Sequence, residues 1–332
     1  MKIALITTVI HVPEVLRVYR AHDASTRFFV TGDLATPYAA VRALCDELKN
    51  AVYLTPEHQQ NWRSSDVFGW NTTCRRNIAL LEALKWGANV IVTVDNDNLP
   101  MGRNILKFRH SFEDHTGLRA ISETGWVDPY RPFGIPHRGF PFTKSAPADF
   151  ESVVNAKVGV VAGIVIGDPD ISAITRIARS PIVHAVTEPL RHGFVVQPSA
   201  WTVFNSQNTA FLRELAPAMM MIPGVGRYDD IFASLICQRV MREKNLHVRF
   251  GPPFVWQQRN PHDLIQDLKA EIFGEEHVVE FAEWLDSLRF AADMQSVAKM
   301  VRYIYECMPD WMPSVTTEAG EAWFHDVEYA MS

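Results

Sequence analysis

The stretch that most limits what this chain can fold into is Asn89-Val-Ile-Val-Thr-Val-Asp95-Asn-Asp97-Asn98, an apolar run that stops at two carboxylates one residue apart. Val90 to Val94 has the β-branched composition of a strand buried on both faces, which belongs in a parallel sheet covered by helices. Ligands of open α/β sheets collect outside the carboxyl ends of such strands, where Asp95 and Asp97 would stand. Two carboxylates at i, i+2 in a loop can share a hard divalent cation, Mn2+ or Mg2+, leaving positions for water and phosphate oxygens. The pattern therefore predicts nucleotide-diphosphate chemistry. The plainer alternative is a turn, because aspartate and asparagine hydrogen-bond their own backbone there.

The chain before this motif alternates strand and helix patterns. Ile3 to Thr8, Arg27 to Val30 and Ala51 to Leu54 read as strands, and Val12 to Tyr19, Tyr38 to Lys49 and Thr73 to Trp86 as helices. Such alternation predicts an α/β fold with a mostly parallel sheet and right-handed crossovers. After Asp97 the pattern changes. Asp128 to Pro147 is dense in proline, glycine, aromatics and arginine, as expected of a functional loop. Lys157 to Ile166 reads as a strand ending at Gly167-Asp168-Pro169-Asp170, followed by a helix over Ile171 to Ala178. Further on, Ala200 to Asn205 is predicted as strand, and Thr209 to Leu215 and Asp230 to Lys244 as helices. Val278 to Leu288, Val297 to Cys307 and Glu318 to Tyr329 complete the chain as amphipathic helices. The simplest division is a catalytic domain over 1–270 and a C-terminal helical extension over 271–332.

With 332 residues and 47% hydrophobic content, the chain can bury a large core. Its net charge of −6 and pI near 6.1 give no bulk attraction to nucleic acid or anionic membrane. The four cysteines show no CxxC spacing, which fits free thiols in a reducing compartment and a cytoplasmic protein. Met1-Lys2 leads into an apolar segment too short for a signal peptide, and no later run reaches the length of a membrane span.

Two further polar clusters carry chemistry. Gly226-Arg-Tyr-Asp-Asp230 opens a helix, where Asp230 reads as a cap and Asp229 as a general base or a ligand for a sugar hydroxyl. Arg227 beside them is a candidate for substrate binding. In His137-Arg-Gly-Phe-Pro-Phe-Thr-Lys144 the guanidinium of Arg138 sits in a loop stiffened by proline and aromatics, suited to paired hydrogen bonds with diphosphate. Arg75 and Arg76, ahead of the helix that feeds the Asp95 strand, are additional phosphate or sugar candidates.

Taken together, Asp95-Asn-Asp97, Asp128-Pro-Tyr-Arg131, Arg138-Gly-Phe-Pro-Phe142 and Gly226-Arg-Tyr-Asp-Asp230 resemble the reversibly glycosylated polypeptides of plants, which include UDP-arabinopyranose mutases. The likeness runs from the first strand to about Asp267. It implies a GT-A-like fold, a UDP-sugar substrate, a metal ion at the acidic motif, reversible self-glycosylation at Arg138, and homo- or hetero-oligomeric partners. Under it, Thr7, Thr8 and Asp33 at the first two strand ends are placed to hold uracil and ribose, with Asn96 also facing the substrate. The chain departs from the family at Asn96, the middle of the acidic triplet, and at Ser145, where the family carries a second arginine. On this basis the leading expectation is a metal-dependent glycosyltransferase using a UDP-sugar donor, with Asp229 or Asp230 positioning or deprotonating the acceptor. A UDP-sugar pyranose/furanose mutase is the alternative, and a non-catalytic sugar-nucleotide-binding subunit the third.

Overall fold

The computed structural model describes residues 1–102, 107–109, 111–259 and 262–332. A single mixed sheet organises them: β1 (Ile3–Val9), β2 (Arg27–Gly32), β3 (Ala51–Leu54), β4 (Val90–Val94), β5 (Asn98–Pro100), β6 (His115–Ile121), β7 (Asp149–Ala156), β8 (Val158–Gly167), β9 (Phe194–Val196), β10 (Asn208–Leu212) and β11 (His247–Gln257). Their order is β3-β2-β1-β4-β10-β8-β11-β9-β6-β7, with β5 paired to β11.

The α/β class and the C-terminal helical region are as the sequence predicts, but the sheet is uniformly parallel only in its first four strands and mixed beyond them. β3, β2, β1 and β4 run parallel. β10 then enters antiparallel between β4 and β8. The predicted helix over Thr209 to Leu215 is therefore a strand with a 3-10 turn, Arg213–Ala218, after it. A short apolar run such as Thr209-Ala-Phe-Leu satisfies either period, and the vacant edge beside β4 decides between them. Ala200 to Asn205, predicted as strand, makes only a single bridge, Trp126 to Trp201. Its backbone is instead answered in part by side chains, as where Thr202 N donates to Gln238 Oε1 at 3.0 Å.

Strand alternation divides the core in two. Ile3, Leu5, Val90 and Val92 face the Val15–His22 and Tyr38–Leu48 helices, while Ala4, Ile6 and Ile91 face the Arg76–Trp86 helix. The C-terminal helices Leu264–Ser287, Val297–Glu306 and Ser314–Met331 pack into this second core, with Trp323 fully buried. Position 270, the expected boundary, lies inside the first of these helices. Asp326 of the last helix receives Ser64 N and Oγ, both at 2.7 Å, so the chain's end is tied to the loop before the Arg76–Trp86 helix. Among the described residues no helix is long and apolar enough to cross a membrane.

Candidate active site

The sheet brings the loops after β1, β4, β8 and β11 to one edge. β11 runs parallel to β8, with Gln257 opposite Gly167, and the start of β10 lies beside the end of β4, with Asn208 opposite Val94. Arg76, which opens the helix over this face, organises the β4 end. Its Nη2 donates to Asp95 Oδ1 at 2.6 Å, and its Nη1 donates to Thr93 Oγ1, Ser206 O and Ser206 Oγ at 3.2, 3.0 and 2.7 Å. Asp95 N donates to Gln207 O at 3.1 Å. The pairing of β5 with β11 carries Gln257 to Asp97, where Nε2 donates to Oδ2 at 3.3 Å. Burial, and then the neighbouring charge of Asp95, push the Asp97 carboxyl above its ordinary range, despite Gln257 and Arg259 opposing.

The loop from Asp128 is folded by that residue's carboxylate, which accepts Tyr130 N at 2.9 Å and His137 N at 3.3 Å. Tyr130 pins the loop to β8 by donating to Val165 O at 3.2 Å and accepting Val165 N at 3.1 Å. Arg138 is thereby delivered to the sheet edge. Its Nε donates to Asp170 Oδ2 at 2.8 Å, its Nη2 to Asp230 Oδ1 at 3.0 Å, and its Nη1 to Arg227 O. Burial alone would lower the guanidinium's pKa, but Asp170 and Asp230 outweigh it and hold Arg138 firmly charged. Asp170 is buried as well, yet Arg138 and Arg259 hold its carboxyl well below the usual carboxylate range.

The two aspartates of the Gly226 cluster divide their work. Asp230 does not cap its own helix. Its Oδ2 accepts Ser206 N at 2.9 Å and Ser206 Oγ at 3.0 Å, leaving Oδ1 for Arg138. A buried guanidinium needs a charged partner more than a helix amide does, because an unpaired buried cation is far costlier. Asp229 accepts Thr73 Oγ1 at 2.5 Å, and burial together with Asp230 raises its carboxyl to about 6.

These groups wall two adjoining cavities. One, of about 250 Å³, holds Asp95, Asp97, Arg138, Asp170, Asp229 and Asp230. The other, of about 350 Å³, is bounded by Thr8, Asp33, Asn71, Thr72 and Arg75. Thr73, Arg76, Asp95, Asn96 and His262 border both, forming a shared wall.

Several predicted site residues serve differently than expected. Thr7 is fully buried, since alternation turns it to the Leu5 face, whereas Thr8 borders the cavity and accepts Arg76 Nη2 at 3.4 Å. Arg75 binds the protein itself: Nε and Nη2 donate to Gln59 Oε1, Nη1 to Ser65 O and Gly69 O, and Nη2 also to Ser65 Oγ. With its donors spent it braces the 59–75 loop. Asp33 accepts Leu34 N at 2.7 Å and Thr72 N at 3.2 Å, joining two rims of the larger cavity. Arg227 pairs with Glu271 at 3.0 Å and Asp267 at 3.3 Å, fastening the Leu264–Ser287 helix to the site. His262, outside the predicted set, stands 3.0 Å from Asp267.

Residues missed from the sequence are Asp170, Ser206, Gln207, Gln257 and Arg259. Asp170 had a visible signal, for Gly167-Asp-Pro-Asp170 ends an apolar strand just as Asp95-Asn-Asp97 does. The others reach the site only through the insertion of β10 and the parallel pairing of β11 with β8. Asp95 and Asp97, which wall the same cavity, are the candidates to hold a divalent ion. Among the described residues no three histidine, cysteine or acidic side chains converge as a metal cage.

The family model for reversibly glycosylated polypeptides matches residues 86–330. The chain belongs to that family. The match takes in the Asp95 motif, the Arg138 loop and the Asp229-Asp230 helix. It also extends through the C-terminal helices, beyond the point near Asp267 where the likeness was expected to fade. Among curated relatives, UDP-arabinopyranose mutase 1 of Oryza sativa subsp. japonica is 29% identical over 214 residues, covering 58% of this chain and 53% of the relative. Probable UDP-arabinopyranose mutase 1 of Zea mays is 28% identical over 235 residues, covering 65% and 58%. Probable UDP-arabinopyranose mutase 2 of Solanum tuberosum is 27% identical over 211 residues, covering 58% and 54%. The matched region thus spans little more than half the length of these relatives. Ser145, where the resemblance implies a second arginine, is exposed, accepts Arg131 Nη1 at 3.0 Å, and is absent from the walls of both cavities.

Proposed function

We propose that this member of the reversibly glycosylated polypeptide family is a UDP-sugar mutase that carries the glycosyl group on Arg138 between two ring forms. The observation that carries this reading is the Arg138 guanidinium fixed by Asp170 and Asp230 in the wall of a cavity that also holds Asp95 and Asp97. The names of the curated relatives point the same way. A nitrogen nucleophile within the cavity removes the need for an external acceptor, which favours a mutase over the transferase expected from sequence.

In this reading the larger cavity takes the nucleoside and the smaller takes the sugar, with the diphosphate crossing the wall they share. Asp95 and Asp97 would hold a divalent ion there. The fit rests on the donor set: two adjacent carboxylates, one of them raised by burial and by its neighbour, are relieved by a cation. When bound, the ion offsets charge building on the departing diphosphate.

As the bond between C1 and the phosphate oxygen breaks, an Arg138 nitrogen bonds C1 and releases a proton to Asp230, its hydrogen-bond partner. The nitrogen lone pair then expels the ring oxygen, which gains a proton, and a different hydroxyl closes on C1 and gives one up. Asp229, held near pKa 6, is suited to carry that proton. Return of the diphosphate oxygen to C1 frees Arg138, which recovers its proton. Incubation with UDP-pentoses and UDP-hexoses, followed by chromatography of the nucleotide sugars and intact-protein mass, tests this. An isomer and a protein gaining one glycosyl unit are expected, both lost in Arg138→Ala. Release of free UDP with neither product would overturn the mutase reading.

A further inference from the structure

Arg259 follows β11 and borders the smaller cavity. Its side chain is only 8% exposed, and it sits between Asp168 and Asp170 at ionic rather than hydrogen-bonding separations, Nε to Asp168 Oδ1 at 3.9 Å and Nη2 to Asp170 Oδ1 at 3.5 Å. Both nitrogens are buried and make no hydrogen bond. The two carboxylates are meanwhile well served elsewhere: Asp170 by Arg138 and by Asn205 Nδ2 at 2.9 Å, and Asp168 by Arg176. Buried guanidinium N–H groups without acceptors are costly, and such a group is repaid when an anionic oxygen arrives.

We infer that Arg259 is a binding residue for the distal phosphate of a nucleoside diphosphate, the phosphate joined to the sugar. The inference rests on the nucleotide-sugar reading above. Three observations place the contact. Arg259 borders the smaller cavity but not the larger one, so it lies on the sugar side of the shared wall. It walls the same cavity as Asp95 and Asp97, the two carboxylates of the acidic motif. Finally, the parallel pairing of β11 with β8 fixes its origin, Gln257 standing opposite Gly167. A planar fork at this point can grip two oxygens of one phosphate as the bond to C1 lengthens, and a lysine cannot reproduce that geometry.

The test compares binding of UDP, UMP and uridine to the full chain by calorimetry, for the native protein, Arg259→Gln and Arg259→Lys. Arg259→Gln is expected to weaken UDP by about tenfold to a hundredfold, the loss of a charge-assisted hydrogen bond, with UMP and uridine unchanged. Arg259→Lys should fall between the two. Unchanged UDP affinity in Arg259→Gln, or equal weakening of all three ligands, overturns the inference and leaves the mutase reading standing. A native chain that binds no UDP overturns both. Thermal unfolding of each variant guards against a folding defect, and should one appear in Arg259→Gln, the UDP-to-UMP ratio of Arg259→Lys decides alone.

Discussion

Arg138 and Asp170 are joined twice: the Arg138 amide donates to the Asp170 carbonyl at 3.1 Å and the Arg138 Nε donates to the Asp170 carboxylate at 2.8 Å. The double link fixes both the backbone and the side chain of the proposed nucleophile, so its position is set before substrate arrives. Asp230 and Arg227 O complete the clamp from the opposite element. Pre-positioning of this kind removes orientational entropy from the reacting step.

Removal of Asp170 should therefore be costly to the fold as well as to turnover. Asp170→Ala leaves two buried arginines without their shared partner, and a loss of about 3–5 kcal/mol is expected from urea unfolding at neutral pH. The folded carboxyl titrates below its unfolded value. Its contribution is thus present above about pH 4, the unfolded pKa, and is lost as pH falls through the folded one. The acid limb of the native stability curve should be steeper than that of Asp170→Ala, and identical limbs would count against the pairing.

Asp128 should act with the opposite sign. Burial raises its carboxyl to about 7, above the unfolded value, so the folded state holds the proton more tightly. Stability is then greatest at low pH and declines between about pH 4 and 7, by up to about 4 kcal/mol for this group. Asp128→Asn keeps an acceptor for Tyr130 N and His137 N while removing the titration. Melting temperatures of the variant should fall less than those of the native chain across that interval. Asp229, raised to about 6, adds a smaller decline of the same sign.

A divalent ion at Asp95 and Asp97 predicts a specific thermal response. Mn2+ at a hundredfold excess over its dissociation constant should stabilise the native chain by about 2.7 kcal/mol. The double variant Asp95→Asn with Asp97→Asn should show no such rise, and chelation should return the native chain to its unliganded melting temperature. An undiminished rise in the variant would place the ion elsewhere.

Gly139 is predicted to be intolerant of a side chain. Its φ is +79°, and a Cβ would stand 2.6 Å from Ile231 Cγ2. Both the left-handed backbone and the contact penalise Gly139→Ala, by about 2–4 kcal/mol in chemical denaturation. Because Arg138 precedes it, the proposed self-glycosylation should fall further than a purely global loss of stability explains.

The local grammar of the chain was legible. β1, β3, β4 and the Arg76–Trp86 helix follow from composition and period, because each contacts a continuous core and its pattern needs no knowledge of the partner. The acidic end of β4, Arg138 and the Asp229-Asp230 pair were likewise visible as polar residues interrupting apolar or stiffened segments.

Three matters were decided only by tertiary structure. β10 became a strand because the exposed edge of β4 offers backbone hydrogen bonds that a short, ambiguous segment takes up. Arg75 and Arg76 are adjacent in sequence and indistinguishable there, yet one points into the 59–75 loop and the other onto Thr93 and Asp95. Successive residues leave a helix about 100° apart, so the packing of that helix on β4 assigns their roles. Asp170, Arg259 and Gln257 meet because parallel pairing aligns the ends of β8 and β11. Sequence fixes what each residue can do chemically; long-range pairing determines which of them share one cavity, since hydrogen-bonded register carries no local signature.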